Sequence, residues 1–131
     1  MTELRDQAVK QAVLRICPGK CLICGYDVCT PDGRPLVEGA HIRDFSEGSQ
    51  YDVPANMVLL CPNHHTEYDN DLIDFTPYGT IFHYYLDNPF NGAHVCYDIS
   101  YLHKGYIRNH NRKLFLRKRI VNEDLIIDNK R

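Results

Sequence analysis

No apolar run in this 131-residue sequence approaches the roughly 20 residues that a membrane-spanning helix needs. The first ten residues, MTELRDQAVK, have mixed charge and lack the apolar core of a secretory signal peptide. The sequence also has no internal repeat, no low-complexity segment and no obvious linker. These absences argue against a membrane, secreted or multi-domain protein, and they predict a single soluble domain with a modest core in the cytoplasm.

Acidic residues are missing between Lys104 and Arg119, although the whole chain carries 17 acidic and 15 basic residues. Seven basic residues lie in this segment, so the other residues hold 15 minus 7, or 8, and have a net charge near −9. Such asymmetry favours a basic surface aimed at a polyanion, the alternative being an ordinary solvated face. The candidate nucleic-acid-binding residues are Lys104, Arg108, Arg112, Lys113, Arg117, Lys118 and Arg119.

Six cysteines in a cytoplasmic protein are expected to be metal ligands or free thiols rather than disulfides. Cys21 and Cys24 form a C-x2-C pair, and Cys61 and His64 form a second two-ligand pair with the same spacing. Two such pairs can close a tetrahedral site, and closed four-ligand sites are structural zinc sites. A redox pair or plain buried thiols are the alternatives. Cys17 and Cys29 have less usual spacings and are expected to be free thiols.

Alternating patterns and turn residues predict an α+β fold. An apolar stripe at helical spacing predicts an N-terminal helix, and a polar segment over 44–54 predicts an exposed loop. The predicted helices span Thr2–Cys17, His64–Asn70 and one or two stretches within Ile99–Ile120, and the predicted strands span Leu36–Ile42, Met57–Leu60, Leu72–Phe75 and Thr80–Leu86.

The residues Ala40-His41-Ile42, then Asn56, then Cys61-Pro62-Asn63-His64-His65 resemble the three signature elements of HNH endonucleases. The closest likeness is to the zinc-knuckle modules of restriction and phage-defence nucleases. The resemblance implies a small ββα-metal finger built around a structural zinc site, with flanking N-terminal and C-terminal helices. It implies one nuclease domain over 1–131, with a helix over 1–17, a zinc-stabilised core over 18–86 and a basic extension over 87–131.

By the same resemblance, His41 would be the general base that takes a proton from the attacking water. His65 would hold the catalytic cation, Mg²⁺ or another divalent ion such as Mn²⁺ or Ni²⁺. Asn56 would either orient the loop and the His41 ring or complete the metal shell.

One position departs from the family pattern. Many members have a second metal ligand directly before the first histidine, and Ala40 stands there in this chain. The candidate replacements are Asp69, one helical turn after His65, together with Asn56 and Glu38. Asp69 is favoured.

Two functions follow from the resemblance. The first is a metal-dependent endonuclease that hydrolyses phosphodiester bonds in DNA, which is expected to be double-stranded. Homodimerisation or fusion to a target-recognition or sensor domain is compatible with this function. The alternative is a catalytically inactive zinc-knuckle module that binds nucleic acid or another partner, which Ala40 favours. No motif surrounds the other four histidines, His83, His94, His103 and His110, and they are expected at the surface or on the substrate side.

Overall fold

The computed structural model describes residues 2–117 and, within them, the side chains of 7–44 and 46–117. The helices are α1 (Thr2–Ile16), α2 (Pro62–Asp69) and α3 (Lys104–Leu116), and the strands are β1 (Glu38–His41), β2 (Met57–Leu60), β3 (Ile73–Phe75) and β4 (Ile81–His83). The strands form two antiparallel pairs, β1 with β2 and β3 with β4. The α+β class is confirmed. None of the helices in the described range is both long and apolar enough to cross a membrane.

The boundaries differ from prediction where local chemistry decides them. Helix α2 begins at Pro62 rather than at His64, because proline suits the first helical position and the Cys61 sulfur accepts a hydrogen bond from the His64 N–H at 3.4 Å. The C-terminal helical region is one helix within the described residues. The predicted exposed loop over 44–54 contains two short 3-10 turns, and a third runs over Pro54–Asn56.

Strands β1 and β2 and helix α2 form a continuous ββα unit. Glu38 pairs with Leu60 and His41 pairs with Met57, so the two ends of β1 lie at opposite ends of β2. All four residues of β2 are buried, as expected for a short apolar run covered on both faces. Helix α1 packs against both strands. The unit therefore holds His41 at one end of the sheet and begins α2 at the other.

The second edge of β2 is covered by segments distant in sequence. The Leu59 carbonyl accepts from the Leu22 N–H at 2.8 Å, and the Leu59 N–H donates to the Tyr97 hydroxyl at 2.9 Å. The Tyr101 hydroxyl donates to the Met57 carbonyl at 2.7 Å. Since buried backbone groups must find partners, these bonds satisfy the open edge of the strand. The same bonds place the residues next to Cys21 beside the end of β2.

The hairpin of β3 and β4 is joined to α3 through a buried carboxylate. Asp74 is 2% exposed, and its Oδ2 accepts from His110 Nδ1 at 2.8 Å and from Asn111 Nδ2 at 2.7 Å. The Tyr68 ring of α2 stacks on the His110 ring with 4.4 Å between centroids. These contacts hold α2, the hairpin and α3 together.

The surface placement expected for the four unassigned histidines is wrong for two of them. His83 is 4% exposed and lies on β4, all three residues of which are buried. His110 lies mostly within the contact between α3 and β3. His94 and His103 are exposed, as expected.

Candidate metal centre and candidate active site

Four predicted zinc ligands come together around one point. One ligand atom from each of Cys21, Cys24, Cys61 and His64 lies within 4.8 Å of all the others. The Sγ atoms of Cys24 and Cys61 are 3.9 Å apart, and His64 Nδ1 is 3.7 Å from Cys21 Sγ and 3.3 Å from Cys61 Sγ. Tetrahedral zinc with sulfur at about 2.3 Å and nitrogen at about 2.0 Å puts neighbouring donors about 3.5 to 3.8 Å apart. The four groups fit a single tetrahedral metal ion.

The local backbone explains why the cysteine pair closes. Gly25 has φ 76°, a left-handed conformation that glycine adopts without strain, and its N–H donates to the Cys21 carbonyl at 3.0 Å. The Ile23 N–H points at the Cys21 sulfur at 3.4 Å. The chain therefore turns back on itself so that both sulfurs face the same side.

Without a cation, partial desolvation disfavours the charged forms of Cys24, Cys61 and His64. Burial raises the pKa of the Cys24 thiol to about 12, and the neighbouring Cys21 and Cys61 thiols add to the rise. Burial also raises the pKa of Cys61 and lowers the pKa of His64, which favours the neutral imidazole that binds metals. A bound divalent cation lowers the pKa of the thiols again, because a thiol that coordinates a metal is deprotonated.

His41 ends β1 and contacts a carboxylate that no sequence pattern marks. Its Nε2 lies 2.9 Å from Oδ1 of Asp52, whose side chain is only 5% exposed. Asp52 follows the second 3-10 turn of the loop, and its N–H bonds to the Ser49 carbonyl. The fold of this loop, rather than a spacing in the sequence, brings Asp52 to His41.

Asn56 is fully buried and ties the two ends of that loop together. Its side-chain nitrogen donates to the carbonyls of Arg43 at 2.8 Å and Tyr51 at 2.6 Å, and its oxygen accepts from the Arg43 N–H at 2.8 Å. Arg43 follows His41 by two residues and Tyr51 precedes Asp52 by one. The Asn56 amide therefore holds both partners of the His41–Asp52 pair in place.

His65 lies between two carboxylates on α2 and β1. Its Nδ1 is 2.8 Å from Oε1 of Glu38, and its Nε2 is 3.4 Å from Oδ2 of Asp69. His64 and His65 are adjacent on α2, so their side chains leave the helix about 100° apart. One histidine therefore faces the cysteine cluster and the other faces an exposed acidic pair. Glu38 and Asp69 are both in contact with His65, whereas Asn56 is engaged by the loop.

The basic residues of α3 and its C-cap residue, Arg117, divide into two groups. Lys113 Nζ lies 2.6 Å from Oε1 of Glu47, and Arg117 lies 3.1 Å from Oδ2 of Asp71. A second stripe follows helical i, i+4 spacing and consists of Lys104, Arg108 and Arg112. Lys118 and Arg119, also expected to bind nucleic acid, lie outside the described residues.

Glu47 links α3 to the loop beside His41. Besides Lys113 it accepts from Arg43 Nε at 2.8 Å, and the Arg43 guanidinium lies 4.3 Å from the centroid of the Tyr51 ring. Hydrogen bonds to Lys113 and Arg43 lower the pKa of Glu47. Lys113 therefore has a structural partner at the loop that carries Asp52.

Comparison with known proteins agrees with this geometry. A family model described as HNH endonuclease matches residues 21–76, which include both halves of the cysteine cluster, His41, Asn56 and His65. A solved structure of a modification-dependent TagI restriction endonuclease superposes with a TM-score of 0.60 and 26% sequence identity. The match covers 84% of this chain but only 37% of that enzyme. No curated protein sequence matches the chain. The two matches support a nuclease function, and residues 21–76 are similar to the HNH endonuclease family.

Proposed function

We propose that this chain is a metal-dependent endonuclease that hydrolyses phosphodiester bonds in double-stranded DNA. The family match and the likeness to a restriction endonuclease support the substrate class. The observation that carries the proposal is the 2.9 Å contact between His41 Nε2 and the buried Asp52 carboxylate. A fold needs no such pair at the end of a strand, whereas a general base needs an imidazole in one tautomer and orientation.

His41 acts as the general base in this proposal. A hydrogen bond donated by Nε2 to Asp52 keeps the ring proton on Nε2 and the lone pair on Nδ1. The Nδ1 lone pair then takes a proton from the attacking water, and the Asp52 carboxylate stabilises the imidazolium that forms. Asn56 serves as a positioning residue, since its amide ties the loop that carries Asp52 to the residues after His41.

His65 Nε2 and Asp69 would hold the catalytic cation. These two groups lie one helical turn apart on α2, with 3.4 Å between His65 Nε2 and Asp69 Oδ2. Glu38 accepts a hydrogen bond from the Nδ1–H group of His65, which leaves Nε2 as the nitrogen that can bind a metal. The cation, Mg²⁺ or an ion such as Mn²⁺ or Ni²⁺, would stabilise the charge on the scissile phosphate and the leaving oxygen. Asp69 then supplies the ligand that Ala40 cannot.

A separate structural ion completes the module. Cys21, Cys24, Cys61 and His64 would hold Zn²⁺, because three thiolates and one imidazole are a donor set typical of structural zinc. His64 and His65 would thus serve different ions from consecutive positions of one helix. The zinc site would position α2, which carries His65 and Asp69.

The stripe of Lys104, Arg108 and Arg112 contacts the phosphates of DNA. Such contacts supply affinity and register without sequence information. Lys113 and Arg117 contribute less to binding than their charge suggests, because each has a carboxylate partner. The match covers 37% of the restriction endonuclease that the chain resembles. Homodimerisation or fusion to a target-recognition or sensor domain is compatible with the proposed function.

The alternative is a nucleic-acid-binding module that retains the fold without cleavage. Ala40 favours it, since the position before the first histidine offers no metal ligand. Incubation of plasmid DNA with Mg²⁺ or Mn²⁺, with EDTA and His41→Ala as controls, separates the two. Metal-dependent nicking by the wild type alone supports the nuclease, and equal DNA binding without nicking by either protein supports the alternative.

A further inference from the structure

Two buried polar atoms beside the cysteine cluster have no hydrogen-bond partner within the described residues. They are Oε1 of Glu67 and Nε2 of His83. They lie 3.4 Å apart, and the same Glu67 oxygen lies 3.9 Å from Nε2 of His64. A buried donor or acceptor without a partner destabilises the fold, because its lost hydration is not replaced. The two unpaired atoms at this position therefore need an explanation.

In both histidines the ring proton is on Nε2, the nitrogen that lies within 3.9 Å of this oxygen. The Tyr85 N–H donates to His83 Nδ1 at 3.0 Å, so the proton of the neutral His83 ring is on Nε2. His64 presents Nδ1 to the sulfurs of the cluster, so its ring proton is on Nε2 as well. A carboxylate oxygen can accept two hydrogen bonds. Glu67 therefore faces two ring donors from two different elements.

We propose that Glu67 and His83 form a positioning pair for the zinc site, in which the Glu67 carboxylate accepts from both His64 and His83. A cation on Nδ1 withdraws electron density from the ring and makes the Nε2 proton of His64 a stronger donor. Carboxylates that accept from a metal-binding histidine fix its orientation and raise its basicity. His83 fixes the carboxylate in turn, and through it the hairpin of β3 and β4 supports the metal site. The proposal rests on the zinc assignment and is independent of catalysis.

The direct test is the rate at which zinc leaves the folded protein. Glu67→Gln keeps the shape of the side chain but removes the negative acceptor, and should speed zinc transfer to a chromophoric chelator by about 10- to 100-fold. Glu47→Gln is the matched control, because it makes the same change at a carboxylate that contacts Lys113 and Arg43. It should release zinc like the wild type.

Two further variants separate an effect on zinc binding from a general loss of stability. His83→Phe removes the donor while filling the buried space, and should speed zinc release about tenfold. Asn111→Ala removes contacts to Asp74 and Phe75, and should lower the melting temperature without speeding release. With Co²⁺ in place of zinc, the visible absorption bands should shift in Glu67→Gln and stay unchanged in Glu47→Gln.

Two results would overturn the proposal. One is zinc release within about twofold of the wild type in both Glu67→Gln and His83→Phe, well short of the loss expected for such a partner. The other is equally fast release from Asn111→Ala at a matched loss of melting temperature, which would make the effect one of overall stability.

Discussion

Substitution of Asp52 by asparagine tests the proposed general base most directly. The asparagine would have the shape of the native side chain but no charge, and its amide could present either a donor or an acceptor to His41. The lost interaction is a hydrogen bond to an ionised, 5% exposed carboxylate, and such bonds contribute about 1.5 to 3 kcal/mol. If that free energy is lost from the transition state, cleavage slows by about 10- to 150-fold.

The assay compares cleavage and binding in the same variants. Plasmid nicking gives the rate with Mg²⁺, and DNA affinity is measured without added divalent cation and without a chelator, so that cleavage is absent and the structural zinc is retained. Asp52→Asn should slow nicking while zinc content and DNA affinity stay close to wild type, and His41→Ala should slow it by about 10²- to 10⁴-fold. Asp98→Asn is the matched control, since Asp98 accepts from the Ser100 N–H in an exposed turn. Wild-type nicking by Asp52→Asn would refute its positioning role, and wild-type nicking by His41→Ala would refute the base itself.

Four further outcomes are expected. The chain should contain about one tightly held zinc, and chelation or Cys21→Ser should cause cooperative unfolding. A folded protein that elemental analysis shows to lack zinc would contradict the structural site. His65→Ala should abolish cleavage with partial recovery in excess Mn²⁺, and full activity in Mg²⁺ would contradict its role. Arg108→Ala with Arg112→Ala should reduce the slope of log affinity against log salt by about 2, and an unchanged slope would exclude this stripe. For His110, burial lowers the pKa, but the charge and hydrogen bond of its carboxylate partner outweigh burial and raise it. The free energy of unfolding that His110 adds over His110→Gln should therefore be complete below about pH 6.5 and decline as pH rises through the raised pKa. Denaturant unfolding of both proteins from about pH 6 to 9 measures this difference. A difference that stays constant over that range would contradict the role of the pair.

The sequence predicted the structure well where short-range features, such as ligand spacing or a short apolar run, determine it. The pairs Cys21-x2-Cys24 and Cys61-x2-His64 predicted a cluster that the fold does assemble, because each pair closes locally around its own turn. The strand Met57–Leu60 was predicted with its observed bounds, since a four-residue apolar run followed by Cys-Pro has few other conformations.

Long-range contacts were not predictable in the same way. Asp52 carries no spacing signal, because only the loop that Asn56 ties together brings it to His41. His83 lies in a predicted strand and His110 in a predicted helical stretch, but nothing in the sequence marks the side chain of either as buried. Their contacts are with partners 16 and 36 positions away, Glu67 and Asp74. Lys113 and Arg117 looked like free cations in a basic run, and their partners Glu47 and Asp71 are also far away in sequence.

The groups that cover the open edge of β2 indicate how far along the chain the folding unit extends. The family signature stops at residue 76, yet the hydroxyl groups of Tyr97 and Tyr101 complete the hydrogen bonding of Leu59 and Met57. A fragment cut after the signature would expose the edge of its central strand to water and to other chains, which invites aggregation. Transfer of this module between proteins, by recombination or by engineering, therefore requires the chain to continue at least through Tyr101.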